Sequence, residues 1–292
     1  MATAADWVEG ARLRTLPAAF SPVIAGAGIA SFFGGFQLVM SLLALVVSLA
    51  LQVGVNFAND YSDGIRGTDD AGRVGPMRLV GSGAATPTTV KRAAFGCFGL
   101  AAVAGLVLIA LSGHWWLIVV GVLSVVAAWY YTGGTNPYGY LGLGEVFVFV
   151  FFGLVAVGGT VYVQLDAVPM PGWWAACAIG FLAAAILVAN NLRDIDGDVL
   201  VGKRTLATRL GDNGTRMFLT LLMLVASLTV VGVAMTSTIW ALLGLVFLPI
   251  VTPSMVRVMR GVQGLRLIGV LKAIGIGELA CAVGLAAGLV LG

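Results

Sequence analysis

Four acidic residues crowd the stretch from Asp60 to Asp70, directly after a long apolar segment. Around them, polar side chains recur at steps of three and four residues, so a helix would place them on one face. These residues are Gln52, Asn56, Asn59, Asp60 and Asp63. A polar stripe at depth in lipid is costly, so it should face a bundle interior or a wet cavity and have a function there. Paired carboxylates on one helix face suit Mg²⁺, which often bridges few protein ligands and a phosphate.

A second polar stripe lies further along the chain, again at the end of an apolar segment. Asn190, Asp194 and Asp198 recur at steps of four residues. Both stretches contain an Asn-x-x-x-Asp core, from Asn59 to Asp63 and from Asn190 to Asp194. Two such carboxylate stripes facing each other could hold two Mg²⁺ ions, with Mn²⁺ as a substitute.

Basic side chains lie beside both acidic stretches. Arg66, Arg73 and Arg78 follow the first, and Lys203 and Arg204 follow the second. An arginine fork or a lysine point charge binds phosphate oxygens, and cations stabilise a diphosphate as it leaves. The surrounding apolar segments could house a hydrocarbon tail. The combination therefore indicates a polyprenyl diphosphate as substrate.

The composition identifies a membrane protein with many spans. Of 292 residues, 60% are hydrophobic and 10% are charged, with a mean hydropathy of +1.03, whereas soluble domains carry about 25% charged residues. A net charge of +3 gives no argument for nucleic acid. The three cysteines lie in apolar runs at no metal or disulfide spacing. The N-terminal segment lacks the pattern of a cleaved signal peptide, since Asp6 and Glu9 precede Arg12 and Arg14.

Nine apolar segments are long enough to cross a bilayer. They cover residues 18–35, 37–58, 93–112, 115–131, 145–163, 173–192, 216–235, 238–256 and 268–290. Residues 4–16 predict a short interfacial helix before the first span. All 16 Lys and Arg residues fall in the N-terminal segment, in alternate connections, or within about a turn of them. This asymmetry predicts that the N-terminus and both acidic stretches face the cytosol.

The position of the two acidic stretches indicates an internal repeat. They lie four spans apart, at the ends of spans 2 and 6. We therefore expect one domain over residues 1–292, with two related four-helix halves, about 18–131 and 145–256, and a ninth helix at 268–290.

Over nearly its whole length the chain resembles the UbiA superfamily of intramembrane aromatic prenyltransferases. The family's Asn-Asp-x-x-Asp motif is matched from Asn59 to Asp63, and its Asp-x-x-x-Asp motif from Asp194 to Asp198. Within the superfamily, the chain is similar to the branch that prenylates 1,4-dihydroxy-2-naphthoate in menaquinone synthesis. The stretches that indicate this branch are 11–17, 59–69, 75–83, 140–149, 190–194 and 202–206.

The resemblance implies an all-α ring of about nine transmembrane helices around a central cavity, with a polar cap on the cytosolic side of the cell membrane. It implies Mg²⁺-dependent transfer of a polyprenyl group from an all-trans polyprenyl diphosphate to 1,4-dihydroxy-2-naphthoate. Diphosphate and CO₂ would be lost, giving demethylmenaquinone without a covalent enzyme intermediate. The expected partners are these two substrates and the lipid bilayer, with no nucleic acid and no obligate protein partner.

The motifs and the resemblance together define the predicted site. Catalytic roles are expected for Asp60, Asp63, Asp194, Asp198 and Lys203. Metal contacts are expected from Asn59, Asp60, Asp63, Asp69, Asp194 and Asp198. Substrate contacts are expected from Arg14, Asn56, Arg66, Arg78, Tyr131, Tyr138, Asn190, Asn191, Lys203 and Arg204. The chain departs from the family pattern in two places. The usual third aspartate is Gly67, with Asp69 two residues later, and the lysine of a Tyr-x-x-x-Lys motif that begins at Tyr131 is Thr135.

Plainer interpretations and rival functions remain open at this point. Basic residues near span ends can be positive-inside anchors, the role assigned to Arg257, Arg260, Arg266 and Lys272. The acceptor could be 4-hydroxybenzoate, homogentisate or haem. An ion-coupled transporter would place acids near the bilayer midplane, whereas these acids cluster at one rim. A CDP-alcohol phosphotransferase needs an Asp-Gly-x-x-Ala-Arg run, which the residues after Asp63 do not supply.

Overall fold

The chain reaches its first long helix through a bend. The computed structural model describes residues 2–67, 78–135 and 137–292. Helix α1 (Ala4–Gly10) begins with a reciprocal cap, in which the Thr3 and Asp6 side chains each accept the other residue's backbone N–H. A left-handed Arg12 (φ 54°) and one 3₁₀ turn follow, and α2 (Pro17–Phe32) then starts at a proline. The axis turns by 49° at this break.

Three helices follow α2 along the chain. They are α3 (Leu38–Arg66), α4 (Pro87–Ser112) and α5 (Leu117–Tyr130). At 1.5 Å per residue, the 29 residues of α3 span about 44 Å, more than the roughly 30 Å of a bilayer core. Its last turns therefore extend past the apolar layer. The helix ends at Gly67, whose φ of 69° favours glycine.

Five helices form the rest of the molecule. They are α6 (Gly144–Leu165), α7 (Met170–Leu200), α8 (Leu206–Thr236), α9 (Ile239–Met259) and α10 (Gly264–Leu291). Helix α6 contains a π-helical run, Phe149–Val155, and α9 begins with a 3₁₀ run, Ile239–Val246. Helix α8 is kinked at Gly211, which has a φ of 70°.

The helices pack as a ring whose ends meet. Helix α3 packs on α4, α7 packs on α8, and α10 packs on α9 and returns to α2. The larger hydrophobic core of the described residues is centred on α7, whose alanine-rich face is buried. At the crossing of α6 and α7 only glycine fits. A Cβ added at Gly153 would lie 2.8 Å from the Cα of Gly180 and 2.5 Å from the carbonyl oxygen of Ala176.

Each of the nine predicted spans coincides with one of the helices α2 to α10. In the described part of the chain, seven helices are long and apolar enough to cross a membrane, or eight if the bent pair α1–α2 counts as one span. Helix α5 has 14 residues, about 21 Å, and is shorter than a bilayer core. The all-helical, multi-pass architecture is confirmed, whereas the count of nine spans stays a prediction.

Candidate active site

A cavity of about 1300 Å³ occupies the centre of the ring. The predicted stripe on α3 faces it, because Gln52, Asn56 and Asn59 line the wall. From this polar end the cavity continues along apolar walls to Ile109 and Leu117, at the opposite ends of α4 and α5. Such a volume exceeds the usual range for small-ligand pockets and suits a long, flexible, apolar substrate. A second apolar cavity of about 530 Å³ lies between α5 and α6.

The two acidic motifs meet at Lys203. The Lys203 ammonium lies 3.9 Å from an Asp63 oxygen and 3.8 Å from an Asp198 oxygen. It also lies over the ring of Tyr140, 4.6 Å from the centroid. The Tyr140 hydroxyl donates to Asp63, and an Arg78 nitrogen lies 3.7 Å from the other Asp63 oxygen. Two carboxylates from distant parts of the chain thus share one cation.

Asp60 has a different environment from Asp63, although both belong to one motif. Asp60 is fully buried, and its two oxygens accept the backbone N–H groups of Leu79 (2.8 Å) and Val80 (2.9 Å). These bonds fix the segment that carries Arg78 against α3. The structure therefore gives Asp60 a positioning role, and its predicted metal contact stays a prediction.

Asp194 is held by its neighbour. The Arg193 guanidinium donates to both Asp194 oxygens, at 2.7 and 2.6 Å, as a bidentate fork. Arg193 also lines the cavity, and Asp198 follows Asp194 by one helical turn along α7. Within the described residues, no group of three or more His, Cys, Asp or Glu is placed to hold a metal ion. The predicted ligand Asp69 lies outside the described residues.

Arg66 and Asn59 position the connection between α5 and α6. Arg66 donates to the backbone carbonyls of Thr132 and Gly134, and its guanidinium lies 5.4 Å from the centroid of the Tyr140 ring. Asn59 accepts a hydrogen bond from the Thr132 hydroxyl at 2.7 Å. These contacts bring Tyr140 to the site, and they occupy Arg66 with protein groups rather than leaving it open to a substrate.

The remaining predicted polar residues divide between the cavity wall and its supports. Tyr131, Tyr138 and Asn190 line the cavity. The Tyr138 hydroxyl donates to the Ala127 carbonyl at 2.9 Å, and burial raises the pKa of this phenol, so it stays neutral. Asn191 donates to Glu145 at 2.9 Å.

Asn56 and Arg204, which were predicted to contact the substrate, form hydrogen bonds with the protein itself. Asn56 donates to the Ala11 carbonyl (2.9 Å) and the Thr15 hydroxyl (3.0 Å). This fixes the turn before α2, whose residue Arg14 lines the cavity. The Arg204 side chain is exposed, and its backbone N–H donates to the Tyr140 carbonyl at 3.0 Å.

Sequence reasoning missed three residues that the structure brings to the site. Tyr140 contacts Asp63, but the two residues are 77 positions apart in the sequence, so no local pattern joins them. Arg193 lines the cavity beside the predicted Asp194. Lys272 was assigned as a membrane anchor, whereas it lines the cavity from α10. Its spacing from other wall residues of α10 was the available signal, since Ile268, Lys272 and Ile276 share one helical face.

Comparison with known proteins assigns the chain to a family. A family model described as the UbiA prenyltransferase family matches residues 19–266. The chain is 51% identical over 292 residues to a 1,4-dihydroxy-2-naphthoate octaprenyltransferase of Mycobacterium tuberculosis, covering 100% of this chain and 99% of the relative. It is 37% identical over 265 residues to the protein of the same name from Escherichia coli K12, covering 87% and 85%.

Solved structures share the fold. A UbiA homolog from Archaeoglobus fulgidus bound to GPP and Mg²⁺ superposes with a TM-score of 0.68 at 14% identity, covering 98% of this chain and 99% of that one. The apo structure of a UbiA homolog from Aeropyrum pernix gives a TM-score of 0.68 at 17% identity, covering 94% and 97%. At these identities the likeness concerns the arrangement of the helices alone.

Proposed function

Because this chain belongs to the UbiA prenyltransferase family, we propose that it transfers a polyprenyl group from an all-trans polyprenyl diphosphate to 1,4-dihydroxy-2-naphthoate. Diphosphate and CO₂ leave, and the demethylmenaquinone skeleton forms. The observation that carries this proposal is the Lys203 ammonium between Asp63 and Asp198. Asp63 also faces Arg78, which lines the polar end of the central cavity. The proposal is also supported by full-length relatives that bear the name of this activity.

The site suits a divalent cation of the hard type. Asp63 and Asp198 already stabilise a positive charge between them, and their donors are oxygens only, as Mg²⁺ prefers. We propose that Asp63 and Asp198 hold Mg²⁺, with Asn59, Asp60, Asp69 and Asp194 as further ligands. Two ions would bind in all, and Mn²⁺ would substitute for Mg²⁺. When bound, Mg²⁺ supplies positive charge that stabilises the departing diphosphate.

The chain's own side chains perform three tasks in the transfer. Lys203 and Arg78 neutralise the diphosphate as its C–O bond breaks and both bonding electrons leave with oxygen. Tyr140 holds Asp63 in place through its hydroxyl. The apolar walls of the cavity keep water from the allylic cation.

The aromatic acceptor itself attacks the prenyl cation, so no protein nucleophile is needed. Its carboxyl-bearing ring carbon bonds to the prenyl C1, and the carboxylate leaves as CO₂. The electron pair of the broken C–C bond returns to the ring, so the direct product is the quinol form. Orienting the two substrates within the cavity accounts for a large part of the rate enhancement in such a reaction.

We also propose an orientation of the chain in the membrane. The N-terminus and the acidic end of the ring face the cytosol in a cell membrane, because the basic residues concentrate at that end. The chain forms one domain of two related halves plus α10. The Lys203 bridge supports this, since it joins Asp63 near the end of α3 to Asp198 near the end of α7.

The test is an acceptor competition in membranes that contain this chain. Labelled all-trans polyprenyl diphosphate is supplied with 1,4-dihydroxy-2-naphthoate, 4-hydroxybenzoate or homogentisate, with Mg²⁺ or with EDTA. We expect Mg²⁺-dependent prenylation of the naphthoate alone, with release of CO₂. Transfer to another ring would keep the chemistry and refute the acceptor. No transfer to any ring would refute the proposed function.

A further inference from the structure

Two basic side chains line the cavity away from the acidic motifs, on α10 and on the turn before α2. Lys272 and Arg14 both face the cavity, yet within the described residues neither side chain forms an ion pair or a hydrogen bond. The three other basic residues of the wall differ, because each lies near a carboxylate. The Arg12 charge acts on Asp60, Arg78 faces Asp63, and Arg193 is paired with Asp194. Lys272 and Arg14 therefore present uncompensated positive charge to the cavity.

Lys272 and Arg14 belong to one corner of the cavity. A Cβ added at Gly275 would lie 3.9 Å from the Arg14 carbonyl oxygen and 3.9 Å from the Ile186 side chain of α7. Lys272 precedes Gly275 by three residues on α10, about one helical turn. The backbone of Arg14 is fixed there because Asn56 and Gln52 both bond to Thr15. The two cations thus share a rigid corner formed by α2, α7 and α10.

This corner lies deeper in the bundle than Lys203 and its two carboxylate partners, Asp63 and Asp198. Gly275 is level with Ile186, and Asp198 follows Ile186 by twelve residues on α7. At 1.5 Å per residue this places Asp198 about 18 Å beyond that level, and Lys272 only about 4 Å beyond it. This separation of roughly 14 Å between backbone levels sets the corner apart from Lys203 and its two carboxylates, so the corner can receive an anion of its own.

Resting on the proposed function, we propose that Lys272, with Arg14, binds the carboxylate of the aromatic acceptor and orients its ring towards the prenyl C1. The reacting carbon must come within roughly 3.5 Å of C1, and the carboxylate is attached to that carbon. A carboxylate held at the corner therefore points the reacting carbon at the space between the two cation sites. Uncharged rings of the same shape lack this contact, so Lys272 and Arg14 select carboxylated acceptors.

The kinetic test uses Lys272→Gln, Lys272→Arg and Arg14→Gln. For the glutamine variants we expect the KM for the acceptor to rise about tenfold or more, with the KM for polyprenyl diphosphate unchanged, as for loss of a charged hydrogen bond. Lys272→Arg should restore most of the affinity. Arg266→Gln, which removes a charge near the start of α10 but outside the cavity wall, is the matched control. A raised KM for the diphosphate instead would assign the corner to the diphosphate and overturn the proposal.

A binding test separates this proposal from the proposed function. Purified protein is titrated with fluorescent 2-naphthoate and with uncharged 2-naphthamide, without any turnover. Lys272→Gln should weaken 2-naphthoate binding about tenfold and leave 2-naphthamide binding unchanged. Equal weakening of both ligands, or of neither, would overturn the carboxylate site, whatever acceptor the intact protein prenylates.

Discussion

The two acidic motifs occupy equivalent places at the ends of α3 and α7, but the protein treats them differently. On α3, Asp60 is tied to two backbone N–H groups and Asn59 to the Thr132 hydroxyl, and both are nearly inaccessible. On α7, the Asp194 side chain is 19% exposed and binds only its neighbour Arg193 among the contacts described. The α3 motif therefore holds neighbouring segments of the site in place, whereas the α7 motif presents carboxylates from one helix face.

The largest effect should come from the two acids that share Lys203. Asp63→Ala or Asp198→Ala should lower kcat by about 10³-fold or more, because each removes a carboxylate that holds Lys203, and would hold Mg²⁺, beside the departing diphosphate. The measurement is product formation by purified variants across a range of Mg²⁺ concentrations. Asp196→Ala is the matched control, since Asp196 is exposed on the same helix. Wild-type turnover by either variant would contradict the shared-cation site.

The next effect distinguishes the motifs by stability. Asp60→Asn places an amide N–H against the backbone N–H of Leu79 or Val80, so it should lower the free energy of unfolding by roughly 2 kcal/mol. Asp194→Asn should cost less, about 1 kcal/mol, because the asparagine oxygen still accepts one bond from Arg193 and the side chain at this position is 19% exposed. Thermal unfolding in detergent measures both. Equal losses of stability would remove the distinction between the two motifs.

A smaller effect concerns the hydroxyl that reaches Asp63. Tyr140→Phe keeps the ring beside Arg66 and Lys203 but removes the hydrogen bond to Asp63. We expect about a tenfold loss of kcat, with unchanged thermal stability. Tyr130→Phe, which alters an exposed tyrosine at the end of α5, provides the comparison. A loss of stability without a loss of kcat would mean that Tyr140 supports the fold alone.

The smallest effect should follow from Arg66→Lys. Lysine keeps the charge but cannot donate to the Thr132 and Gly134 carbonyls together, so the α5–α6 connection loses one anchor. We expect about a threefold loss of kcat, with steady-state kinetics as the measurement. Arg92→Lys, on the exposed side of α4, should leave kcat unchanged. A loss as large as that of Asp63→Ala would indicate that Arg66 contacts the substrate directly.

Much of this architecture follows from local patterns. Apolar length predicted the position of every helix from α2 to α10, and a three-to-four spacing predicted that Asn56 and Asn59 share the cavity face of α3. We also expected the two acidic stripes to face each other, because each lies at the same end of its span, but the shared Lys203 cation was not among the predictions.

Other features depend on contacts that spacing does not encode. The partners of Asp60 lie in a segment 19 and 20 residues away, and no periodicity joins a helix end to a turn. Lys272 was assigned to the wrong environment because a basic residue near a helix end satisfies the positive-inside pattern on either face. The short α5 and the bend before α2 likewise depend on how neighbouring helices pack.

The π-helical run in α6 carries a consequence for how relatives of this chain can change. A π turn holds one residue more than an α turn, so everything after Val155 is rotated by about 100° relative to an unbroken helix. The wall residues Ala156, Gly159 and Val163 all follow this point. Straightening the run into a regular α-helix without losing a residue would turn these small side chains away from the cavity, whereas deleting one residue from the run would keep them facing it. Relatives can therefore lose this one residue without changing the space available to the prenyl tail or the position of either acidic motif.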